Sequence, residues 1–101
     1  MDVGDLTVEH FAGREGQRFW ITFSDAELDL ELASVTRPPE HWGSTDKREP
    51  FTVTFHATLD HVLPGRIWPV EHEELGTMEF FLVPIGPNEA GDAMRYEAVF
   101  N

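Results

Sequence analysis

The chain reads as an all-β protein: a small antiparallel barrel or sandwich of about six strands, with at most one short N-terminal helix. Three observations carry this. Phe19–Phe23 (FWITF) and Phe51–Phe55 (FTVTF) alternate apolar and polar or outward residues at a period of two, the period of a half-buried strand. Leu28–Val35 repeats the pattern, with Leu28, Leu30 and Leu32 set against Asp29 and Glu31. An apolar residue at every second position fits a strand and not the 3.6-residue period of a helix. Finally, Gly65–Gly86 holds two apolar arms, Ile67–Val70 and Met78–Ile85, around the charged run Glu71–Gly76, which is the pattern of a hairpin.

In chain order, Leu6–Phe11 is one or two helical turns capped near Thr7, or equally a short edge strand. Leu6 and Phe11 anchor it while Glu9 and His10 face water, and Gly13 ends it. Gly13–Gly16 is a turn. Phe19, Ile21 and Phe23 form the inner row of the first strand, and Ser24–Glu27 turns the chain into Leu28–Val35. Thr36–Pro50 is irregular, with three prolines and a dense charge cluster; a loop of this length is where function or disorder is expected. After Phe51–Phe55, Ala57–Pro64 is a connection with Leu59, Val62 and Leu63 tucked in. The arm Met78–Ile85 is apolar at nearly every position after Glu79, so it is expected at the centre of the sheet, covered on both faces, with Phe81 inside. Gly86–Ala93 is a loop. Tyr96, Ala98 and Phe100 then alternate with Glu97 and Val99, and the C-terminus is expected to be held in the sheet.

The length of 101 residues bounds the chain to a single domain, 1–101, and 41% hydrophobic residues with eight Phe and three Trp supply a core without staples. Cysteine is absent, so disulfides and thiolate metal sites do not enter. No signal-peptide pattern opens the chain and no apolar run approaches a membrane span, so a cytoplasmic location is expected. Nineteen acids against seven bases give a formal charge of −12, shared evenly by the two halves. Such a surface repels phosphate backbones and anionic lipid, which argues against nucleic acid and membrane as partners; it serves solubility or, on the sharper reading, attracts a basic partner protein.

Candidate chemistry is sparse. Glu71-His72-Glu73-Glu74 is the most ligand-rich run, but position 76 is Gly where a zincin helix needs its second histidine. His56 and His61, with Asp60 between them, match no recognised ligand spacing. All five histidines read as solvated, and no metal or cofactor is expected. The serines lie outside any nucleophile elbow, and nineteen acids leave a catalytic carboxylate pair without a distinguishing signal. Binding surface remains. In the Thr36–Pro50 loop, Trp42 beside His41 either docks on the body or waits for a partner, and Lys47-Arg48 is the only adjacent basic pair. Trp20 and Trp68 are out of phase with their neighbours. They lie on the second face of a two-layered core, form an exposed aromatic patch, or line a barrel mouth that holds a small apolar ligand.

Glu49-Pro50-Phe51, Phe55, Leu63-Pro64, Glu71-His72, Leu75-Gly76, Phe81-Leu82-Val83-Pro84 and the ending Tyr96-Glu97-Ala98-Val99-Phe100-Asn101 together resemble a family of small bacterial all-β domains of unknown function. Its usual turn carries proline where Glu73 stands, and tyrosine is commoner at the place of Trp68. The resemblance implies a non-enzymatic interaction or assembly accessory, since such proteins are similar to ones encoded near phage-tail-collar-like genes. It brings no catalytic residues. A small-molecule-binding barrel, or a hydrolase using His72 or His56, is the alternative.

Overall fold

In the computed structural model the described residues are 5–37 and 50–100. A 3₁₀ turn at Val8–His10 precedes six strands: β1 (Arg18–Thr22), β2 (Glu27–Thr36), β3 (Phe51–Ala57), β4 (Arg66–His72), β5 (Gly76–Pro87) and β6 (Met94–Phe100). They close a barrel in the order β1-β2-β3-β6-β5-β4, every neighbour antiparallel. The barrel alternative is thus the one realised. Among the described residues no helix is long and apolar enough to cross a membrane.

Alternation decides the interior. Phe19 and Ile21 of β1, Leu28, Leu30 and Leu32 of β2, and Phe51, Val53 and Phe55 of β3 point inward, as do Met78, Phe80 and Leu82 of β5 and Tyr96, Ala98 and Phe100 of β6. Phe51 stacks on its cross-strand partner Phe100 at 4.6 Å between ring centroids, and Phe19 meets Phe55 edge-on at 5.2 Å. The 3₁₀ turn closes one end. It drops Phe11, fully buried, among Phe19, Phe51, Phe80 and Phe100 at 5.8–6.3 Å, so the interior is packed rather than hollow. The turn is capped by its own histidine: the Thr7 N–H donates to His10 Nδ1 at 2.9 Å. At the other end residues 58–65 cross from β3 to β4, and the Leu63 N–H donates to the buried Tyr96 hydroxyl at 2.9 Å.

Several expectations are corrected. A closed barrel has no central strand, and β5 has one inner and one outer row like its neighbours. Phe81 lies in the outer row and is 49% exposed. Phe23 falls just past the end of β1 and is partly exposed rather than inward. Of the 58–65 crossover only Leu63 is tucked in; Leu59 and Val62 face solvent. The hairpin turn is shorter than the charged run suggests, because Glu71 and His72 still pair with Thr77 and Gly76. Gly76 takes φ 75° there, a conformation side-chain-bearing residues avoid. β5 also bulges between Pro84 and Gly86, and the extra residue, Ile85, shifts its pairing onto β6.

Candidate functional site

The two tryptophans lie on opposite sides of one barrel wall, not on a second core layer. Trp20 shares the outer row of β1 with Arg18 and Thr22, between Asp29 of β2 and Glu71 of β4. The Arg18 guanidinium sits 4.5 Å from the centre of the indole and bonds Asp29 at 2.7 Å and Glu27 at 2.9 Å. Those two carboxylates hold the guanidinium even more firmly protonated than usual, Asp29 foremost. Trp68 is in phase with the inward Val70 and packs against the core at the crossover end. Its indole N–H donates to the Pro64 carbonyl at 3.0 Å, its face carries Arg66 at 4.8 Å, and its edge meets Phe23 at 5.9 Å. Both half-buried rings are therefore already engaged by their own chain. His41, Trp42, Lys47 and Arg48 lie outside the described residues. Arg37, the last described residue before them, stands at the end plugged by Phe11, 4.0 Å from Glu9.

His72 corrects the expectation of five solvated histidines. It is the last residue of β4, inward like Val70, 5% exposed and 4.5 Å from the Phe19 ring. Nδ1 accepts the N–H groups of Glu74 at 3.0 Å and Leu75 at 3.3 Å, so the ring proton belongs on Nε2, which faces Gln17 Oε1 at 2.8 Å. Burial pushes its pKa below the ordinary value, helped by the Arg14 guanidinium and opposed by Glu74 and Glu73. Arg14 in turn bonds Glu74 at 2.6 Å and holds that carboxyl below its usual range. Each ring nitrogen of His72 thus has a partner within the fold. A cleft of about 540 Å³ runs beside it, lined by Gln17, Arg18, Trp20, His72, Glu73 and Glu74. Among the described residues no group of three or more His, Asp or Glu is arranged to hold a metal ion.

A surface that sequence reasoning missed stands on the outer wall of the β4–β5 hairpin. Ile67 and Phe81 are direct cross-strand partners, 63% and 49% exposed. Gly65 packs against the same patch: a Cβ there would come 3.0 Å from Val83 Cγ2 and 3.6 Å from Phe81 Cζ, so a side chain would fit only if the Val83 methyl gave way by a few tenths of an ångström. Acids flank it. Glu79 precedes Phe81 by two on the same face, and Glu97 of β6 lies opposite Val83. The one cation of that outer row on β6, Arg95, points its guanidinium at the carbonyls of Gly86 and Ile85, both at 3.4 Å. The signal was the pair Phe80-Phe81. In an alternating strand one of two adjacent aromatics must face out, and only closure tells which.

The fold and its surfaces define a small, solid antiparallel barrel whose distinctive feature is an outer face and not a lumen. The chain belongs to the family described as "Domain of unknown function (DUF6916)", whose family model matches residues 6–100. No curated protein and no solved structure matches the chain.

Proposed function

We propose that this protein is a non-enzymatic protein-interaction module that docks through the outer wall of its β4–β5 hairpin. The observation that carries this is the exposed cross-strand pair Ile67 and Phe81, backed by Val83 and flanked by Glu79 and Glu97. Contiguous exposed apolar side chains on a strand face mark a contact surface. The acids beside them, on a chain of net charge −12, ask for a partner with an apolar centre and a basic rim. The same charge disfavours nucleic acid, anionic membrane and a second copy of this chain. An assembly-accessory role in a bacterial, phage-tail-like setting rests on the family resemblance alone. The non-enzymatic reading draws support from His72, whose ring nitrogens are both engaged in holding a turn and a strand seam.

The test is affinity capture from source cells with wild-type protein, Phe81→Ala and Ile67→Asp, each checked for an unchanged fold. A specific protein retained by the wild type is expected to be lost at least tenfold with either substitution, as for a hot-spot residue, and to weaken with added salt. Equal retention by all three proteins overturns the docking wall.

A further inference from the structure

A second concavity has a different chemistry. The β1–β2 turn and the 58–65 crossover enclose a groove of about 670 Å³ at the crossover end of the barrel, within the range of small-molecule sites. Its floor is Leu28 and Leu63, both nearly buried, and its walls are the Phe23 ring and Val62, the latter 51% exposed. These parts are held in place. The Phe23 N–H donates to the Ala26 carbonyl at 2.7 Å, and its ring rests edge-on against Trp68. Leu63 is pinned by the Tyr96 hydroxyl.

The rim is acidic. Asp25, Glu27 and Asp60 line it, with His61 as the only other titratable group. Glu27 is matched by Arg18, but among the described residues neither Asp25 nor Asp60 is in an ion pair. An apolar floor under two unmatched carboxylates is complementary to one kind of small molecule: an apolar body ending in a cation. A neutral apolar ligand would leave the carboxylates unused, and an anion would be repelled by them. We propose that this groove binds an amphipathic organic cation, an aryl- or alkylammonium, with its hydrocarbon between Phe23 and Val62 and its ammonium between Asp25 and Asp60. This site is independent of the docking wall, shares no residue with it, and needs no partner protein.

The experiment is amide NMR of the full chain titrated with 2-phenylethylammonium, neutral 2-phenylethanol and anionic 3-phenylpropionate. All are run at about 0.15 M salt so that diffuse attraction to the charged surface is screened. Saturable shifts confined to residues 23–28 and 60–63 are expected with the cation. Its affinity should exceed that of the alcohol at least threefold, since one close ion pair in water is worth about that or somewhat more, and the anion should bind most weakly. The double variant Asp25→Asn, Asp60→Asn should keep its spectrum elsewhere and bring the cation down to the level of the alcohol. Shifts scattered over the surface, equal affinity for cation and alcohol, or no localised shift at tens of millimolar each overturn the proposal. Phe81→Asp should leave the titration unchanged, so loss of the docking wall and loss of this groove are told apart.

Discussion

Two seams join distant parts of this chain, and they are built differently. Between β3 and β6 the backbone does the joining: seven residues of each strand pair in unbroken register from Phe51 and Phe100 to Ala57 and Met94. Between β1 and β4, the contact that turns a curved sheet into a barrel, the register has a single pair, Trp20 with Glu71. Side chains supply the rest. The Thr22 hydroxyl donates to Glu71 at 2.6 Å, Gln17 meets His72 at 2.8 Å, and Arg14 reaches Glu74 at 2.6 Å. A backbone ladder does not depend on which side chains are charged. A seam held by a neutral imidazole and a carboxylate–guanidinium pair does, so closure of this barrel is expected to respond to pH.

The largest effect should come from the ladder seam, where stability is stored as burial. Phe51→Ala removes a ring that is 1% exposed, stacked on Phe100 and tilted against Phe11, and should cost about 3–5 kcal/mol in urea unfolding. A loss under about 1 kcal/mol would show that β3 and β6 do not frame the core.

The side-chain seam should respond to acid instead. His72 is neutral in the fold because burial lowers its pKa below the 6.5 of a free imidazole. The unfolded chain therefore takes up protons first, and the stability His72 contributes is complete above about pH 6.5 and lost as pH falls through its depressed folded value. His72→Leu leaves the Glu74 and Leu75 N–H groups and Gln17 without their partner, at a cost of about 1–3 kcal/mol near neutrality. It should also flatten the thermal midpoint between pH 7.5 and 5.5, where the wild type declines. A wild-type midpoint that stays level across that interval, or a variant that declines as steeply, would remove His72 from the seam. Glu74, also lowered, adds its loss only further down, below the ordinary carboxylate range.

Smallest is the exposed stitch. Thr22→Val keeps the strand-forming shape and deletes only the hydroxyl bonded to Glu71, so the change should stay within about 0.5 kcal/mol, the scale of surface substitutions. A cost several times larger, measured by the same urea titration, would mean that closure rests on this contact more than on His72.

The local content of the fold was legible in the residues themselves. FWITF, LDLEL, FTVTF and the closing YEAVF sort their own side chains onto two faces, because successive residues of a strand point in opposite directions whatever the strand packs against. Leu6 and Phe11 were legible as the apolar anchors at the two ends of a short N-terminal turn, and Phe11 proved to be the plug. What alternation does not say is which of two apolar faces is the inner one. In β5 Phe80 and Phe81 are equivalent as a pattern, and in β4 so are Ile67 and Trp68. The choice is made by partners far away in sequence: Trp20 opposite Glu71 closes the wall, and from that register Phe80 and Trp68 turn inward while Phe81 and Ile67 turn out. His72 was hidden likewise. A histidine between two glutamates reads as surface until closure sets it against Phe19 and Gln17, where its ring takes the place of solvent for two backbone N–H groups. The sequence by itself determined the strands and their two faces, which depend on neighbours one and two residues away. Only the tertiary structure decided inside from outside, and with it the exposed apolar wall of Ile67 and Phe81 and the groove at the crossover end, because that choice depends on pairings about fifty residues apart.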